Sequence, residues 1–174
     1  MSKAKLVYIL SLRNAAADKA GQYIDFKGTQ RYMASPLEYL AKALDESPLG
    51  EAYSLEGIVY DDDEGSPRDR AALQDYGFSF QPGRQWIFPG DLKAQGKLVN
   101  GMLHAVPSEY RRLPLDAKER PAAKSAFERR LLDKLLTLRA DIVVLDGLLV
   151  ILDELVRPCA PFHRRIVNIH PGIT

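Results

Sequence analysis

Four short runs of apolar, β-branched residues alternate with two helical stretches, and this alternation restricts the chain more than any other feature. The runs are Lys5–Ser11 (KLVYILS), Leu55–Tyr60 (LEGIVY), Asp141–Leu145 (DIVVL) and Arg165–His170 (RIVNIH). The first and third lack the polar alternation of a half-solvated strand, which is the mark of strands covered on both faces. Between the first two, Ser35-Pro-Leu-Glu38 supplies an N-cap serine, a proline at the first helical position and a glutamate at the third. That is a capping box, and Leu37, Leu40, Ala41 and Leu44 follow as an apolar face. Between the middle two, Pro121 opens a longer helix whose Ala123, Phe127, Leu131, Leu135 and Leu138 recur at helical spacing. The expected architecture is α/β and Rossmann-like: a mostly parallel sheet with helices on both faces.

The remaining stretches carry weaker signals. Leu12–Ala34 is polar and contains glycine, and reads as an irregular segment. Asp61-Asp62-Asp63-Glu64-Gly65 has the composition of a turn. Arg68–Tyr76 reads as a short helix closed by Gly77. In the Gly- and Pro-rich stretch from Phe78 to Leu115, a strand is expected only near Gln85–Phe88. Leu148–Val156 reads as a loop or short helix.

Composition narrows the function. The 174 residues have a formal net charge of +1, which offers no electrostatic footprint for nucleic acid or an anionic membrane. No apolar run approaches the roughly 20 residues of a membrane span, and Met1-Ser-Lys-Ala-Lys5 lacks the pattern of a signal peptide. Cys159 is the only cysteine, so neither a disulfide nor a cysteine-rich metal site can form within the chain. His104 and His163 lack partners at metal-ligand spacing. These features lead us to expect a cytoplasmic protein of one domain, residues 1–174.

The last strand holds the first chemical clue. Successive strand residues face opposite ways, so Asn168 and His170 share a face just before Pro171-Gly172 ends the run. In open parallel sheets, ligands bind beyond the carboxyl ends of the strands. There an amide can donate to a developing oxyanion, and an imidazole can donate to it or shuttle a proton. Spacing alone equally allows two polar residues at an exposed strand end, hydrogen-bonded to loops.

ADIVVLDGLLVIL (Ala140–Leu152), followed by RRIVNIHPGIT (Arg164–Thr174), resembles the core of the 10-formyltetrahydrofolate-dependent formyltransferases. YIDFKGTQRYMASPLEYL (Tyr23–Leu40) and GIVYDDDEG (Gly57–Gly65) are most similar to the hydroxyornithine formyltransferases of pyoverdine siderophore synthesis. The resemblance implies formyl transfer from 10-formyltetrahydrofolate to the hydroxylamine nitrogen of hydroxyornithine, with Asn168 as oxyanion donor and His170 as its electrophilic or proton-shuttling partner. It places Asp146, Gly147, Leu148, Leu149, Val150 and Leu152 along the folate pocket, chiefly through backbone groups. Where the family often has Met-Arg, this chain has Leu149-Val150, which puts side-chain contacts there in doubt. The mechanism needs neither a metal nor a covalent enzyme intermediate. Two alternatives remain: another acceptor such as an amino sugar nucleotide, or a folate-binding fragment without catalysis. A dinucleotide-binding domain is disfavoured because no G-x-G-x-x-G follows the first strand.

The chain also departs from the family. The Gly-Ser-Asn phosphate cradle of the nucleotide-using members is missing after the first strand, and an insertion of some twenty residues, about the length between Leu12 and Ala34, stands instead. We read that insertion as a candidate lid containing Tyr23, Asp25 and Tyr32. Arg13 and Asn14, just after the first strand, are candidates to bind the substrate carboxylate, or are simply loop structure. The family's catalytic Asp lies beyond N-x-H-P and is not in these residues. The expectation is therefore a formyltransferase domain incomplete at its C-terminus and inactive alone. Asp61–Glu64 are expected to be a solvated turn, with an acid of the run able to meet the substrate amine if it faces the cleft. Arg111-Arg112 and Arg129-Arg130 are expected to be solvated faces, and Trp86 and Phe88 to be core residues rather than folate-stacking rings.

Overall fold

The computed structural model describes residues 2–17, 19–62, 87–148 and 150–169. In chain order the elements are β1 (Ala4–Leu10), α1 (Leu12–Ala17), β2 (Gln22–Phe26), β3 (Thr29–Met33), α2 (Pro36–Glu46), α3 (Leu49–Ala52), β4 (Tyr53–Asp62), β5 (Lys93–Ala94) and β6 (Lys97–Leu98). After them come β7 (Leu103–Pro107), α4 (Arg120–Thr137), β8 (Ile142–Asp146), α5 (Asp153–Val156) and β9 (Ile166–Ile169). Two 3₁₀ turns, Val99–Met102 and Glu109–Arg112, flank β7.

Five strands form one parallel sheet in the order β7-β4-β1-β8-β9. The expected Rossmann-like sheet is thus observed. The chain begins at the centre, builds outward to β4 and β7, then crosses back to β8 and β9. The reversal between β1 and β8 is the topological switch point, where such sheets bind ligands.

Burial explains the unbroken apolar runs. Leu6, Tyr8 and Leu10 of β1 pack in the same core as Leu37, Ala41 and Leu44 of α2. Val7 and Ile9 point the other way and join Val143, Leu145, Phe127, Leu131 and Leu135. Each such side chain contributes roughly 1.5–3 kcal/mol of burial. The capping box is present: Glu38 N–H donates to Ser35 Oγ at 3.2 Å, and Ser35 N–H donates to Glu38 Oε2 at 2.7 Å. The long helix runs as the spacing predicts, with Glu128 as its one charged residue facing inward, paired with Lys124 at 2.7 Å.

Three expectations are corrected. The segment Leu12–Ala34 is not irregular. It folds into α1 and the β2–β3 hairpin, with Lys27 (φ 52°) and Gly28 (φ 78°) as the left-handed pair of a two-residue turn. The Lys27-Gly28 pair between two short runs was the available signal. Nor does the strand starting near Leu55 stop at a turn: Asp61 and Asp62 pair with Val106 and Pro107 as the last residues of β4. Pairing with a neighbouring strand outweighs turn composition. Finally, Ile87 and Phe88 are buried without forming a strand. Residues 63–86, including the expected helix at Arg68–Tyr76, Gly77 and Trp86, lie outside the described residues, as do Leu149 and His170.

Candidate active site

The carboxyl ends of β1 and β8 meet side by side, Leu10 pairing with Asp146. Three contacts join them. Ser11 N–H donates to the Asp146 carbonyl at 3.1 Å. The fully buried Tyr8 donates its hydroxyl to Asp146 Oδ2 at 2.5 Å. Burial raises the phenol's pKa, and the Asp146 charge and the hydrogen bond raise it further, so Tyr8 stays a donor. Asn14 Nδ2 donates to the Gly147 carbonyl. Gly147 has φ +67°, and a Cβ there would lie 3.0 Å from Asn14 Cβ. Only glycine takes that turn without strain.

Beyond Gly147 the chain folds back on the core. Leu148 and Leu152 bury their side chains, and Val150 is half-buried with its N–H bonded to the Leu148 carbonyl at 2.9 Å. The Leu148 and Leu152 side chains are therefore turned away from any ligand, which leaves their backbone to meet one. Ile151 is 72% exposed. The loop's far end is fixed by Glu128, whose Oε2 accepts the Glu154 N–H of α5 at 2.7 Å.

Asn168 sits on β9 opposite Leu145, one residue short of the described end. It shares a strand face with Ile166, which packs against the α4-side core. Asn168 itself lies past that core, is exposed, and makes no side-chain hydrogen bond among the described residues. An amide held this way on a rigid strand is available to donate to a ligand oxygen.

At the end of β4, Asp61 is buried. Its Oδ1 accepts the Leu12 N–H at 3.1 Å, and its Oδ2 lies 2.6 Å from the Arg111 guanidinium. Burial pushes its carboxyl up to about 6, against the opposing pull of Arg111, the Leu12 N–H and Ser11. Asp61 and Arg111 are therefore a structural pair, neither a solvated turn nor a solvated face. Arg130 pairs with Glu109 at the surface and reaches the Pro107 carbonyl, and Arg112 and Arg129 are exposed as expected. An acid at the end of this strand could hold a ribose in a dinucleotide fold; here it is committed inward.

The candidates thus divide. Asp146, Gly147 and Asn14 come together at the switch point, with Asn14 holding the loop carbonyl. Asn168 lies two strands from β1, across β8. The Arg13 side chain, Leu149 and His170 fall outside the described residues. Sequence reasoning missed Tyr8 and misassigned Asp61 and Arg111, read there as a solvated turn and a solvated face. A tyrosine within an apolar strand was the one usable sign, because a buried hydroxyl needs a partner. Among the described residues, no group of three or more His, Cys, Asp or Glu side chains is gathered to hold a metal ion, and no helix is long and apolar enough to cross a membrane.

No family model matches the chain, and no curated protein matches it. A solved structure does: PvdF of pyoverdin biosynthesis, described as a structurally unique N10-formyltetrahydrofolate-dependent formyltransferase. The two share 62% sequence identity with a TM-score of 0.90, over 98% of this chain and 64% of PvdF. The chain thus spans somewhat less than two thirds of PvdF. In sequence and fold alike, it is similar to an N10-formyltetrahydrofolate-dependent formyltransferase of pyoverdine biosynthesis.

Proposed function

We propose that the chain serves the transfer of a formyl group from 10-formyltetrahydrofolate to the hydroxylamine nitrogen of hydroxyornithine, in the cytoplasm, for siderophore synthesis. The observation that carries this reading is the 62% identity to PvdF across 98% of the chain. The residues fit the donor. A planar pterin needs a fixed backbone edge and apolar contact, and the Gly147–Leu152 loop is pinned at both ends with Ile151 exposed between them.

When bound, the donor supplies an electrophilic formyl carbon. Asn168 donates its amide N–H to the carbonyl oxygen as negative charge develops there. His170, two residues on, is assigned the second donor and the proton carried from the attacking nitrogen to the folate nitrogen, so that the bond between that nitrogen and the formyl carbon breaks and tetrahydrofolate leaves as a neutral amine. Neither role calls for a metal or a covalent enzyme intermediate.

Release of tetrahydrofolate, followed with hydroxyornithine as acceptor, tests the reading. Asn168→Ala is expected to lower turnover about 100-fold. Turnover with an amino sugar nucleotide in place of hydroxyornithine would overturn the acceptor. Full activity in Asn168→Ala would overturn its role as oxyanion donor.

A further inference from the structure

We propose that Asn14 is a positioning residue that holds the Gly147–Leu152 loop in the shape that receives the formyl donor, a role that rests on the proposed function. Its amide donates to the Gly147 carbonyl, and its Cβ fills the space beside the left-handed Gly147. An Asn committed to the loop is not free to grasp a substrate carboxylate in the same way, so this replaces the substrate-binding role expected from its place after β1.

Asn14 is itself held. It lies on α1, whose first N–H, that of Leu12, donates to the buried Asp61, and Asp61 is fixed by Arg111. A continuous set of contacts therefore runs from the turn after β7, through the ends of β4 and β1, to the start of the loop after β8. Tyr8 and Ser11 hold Asp146, one residue before. Glu128 fixes the far end through the Glu154 N–H. A segment tethered at Gly147 and again at Glu154 loses less conformational entropy when a ligand binds beside it, which is the physical basis of preorganisation.

Asn14→Ala and Asn14→Asp test the role together. The Asp variant keeps the size and the Cβ but replaces the N–H donor with a carboxylate facing a carbonyl, so a pure packing role would leave it silent. Amide exchange at Val150, whose N–H bonds to Leu148 within the loop, is expected to quicken about tenfold in both variants. Val143, bonded to the Arg165 carbonyl in the sheet, should be unchanged and reports that the fold is intact. Affinity for 5-formyltetrahydrofolate, a stable isomer of the donor, should weaken about tenfold in both. Unchanged exchange at Val150, or full affinity in the variants, would overturn the proposal. Failure of the wild type to bind the probe would overturn the donor reading instead, and Val150 exchange would then decide the loop clamp alone. Should Asn14→Ala not fold, Asp61→Asn loosens α1 from the other side and is expected to move Val150 in the same direction.

Discussion

Two aspartates end the strands on either side of β1, and they are held in opposite ways. Asp61 closes β4, is buried, and faces the cation of Arg111. Asp146 closes β8, is half-buried, and faces the neutral phenol of Tyr8. A guanidinium neutralises its partner and locks it as structure. A phenol donates to its partner and orients it. The difference teaches that an acid at the carboxyl end of a parallel strand is not a functional signal by itself. The group opposite decides, and that group comes from elsewhere in the chain.

Removing each aspartate's partner contact sharpens this contrast. The largest effect is expected from Asp61→Ala, which strands Arg111 and leaves the Leu12 N–H without its acceptor. A buried pair broken on one side costs about 3–5 kcal/mol, readable as a lowered urea midpoint; a change within experimental error would make the pair incidental. Tyr8→Phe should cost less, about 1.5–3 kcal/mol for a hydrogen bond to a charged group. A cost for Tyr8→Phe equal to that of Asp61→Ala would erase the distinction between the two ends.

A smaller effect follows from pH. The Asp61 carboxyl rises from 3.8 to about 6 on folding. Between those values the folded state holds a proton that the unfolded state has lost, so this contribution to stability falls as pH rises from about 4 to about 6. Asp61→Asn lacks the titration. The wild type should therefore lose stability relative to that variant across this window and run parallel to it above. The smallest effect is expected at His104, whose pKa burial lowers with help from the Lys134 charge. Below 6.5 the unfolded chain takes up the proton more readily, so stability falls as pH drops. His104→Gln should remove that slope, and an unaltered acid slope would assign it to another group.

Much of the fold was legible because its central strands are covered on both faces. β1 and β8 appear in the sequence as uninterrupted apolar runs, and α2 announces itself by Ser35 and Glu38. Asn168 was legible as an amide set into such a run. The hairpin was not, because β2 and β3 are largely solvated and their apolar residues follow no two-residue period, which left only a Lys-Gly turn. The end of β4 misled for another reason. Local composition favoured a turn, while pairing with β7 and the pull of Arg111 favoured a strand.

The sequence by itself determined the alternation of strands and helices, the two-sided cores, the place of Asn168 near a strand end and the resemblance to the formyltransferases. These are properties of spacing and side-chain type, which act within a few residues. Only the tertiary structure decided that Asn14 reaches Gly147, that Tyr8 reaches Asp146 and that Asp61 meets Arg111. Those partners stand 133, 138 and 50 residues apart. No local pattern encodes such pairs, because each forms only once the sheet has brought three strand ends together and removed the water that would otherwise satisfy them.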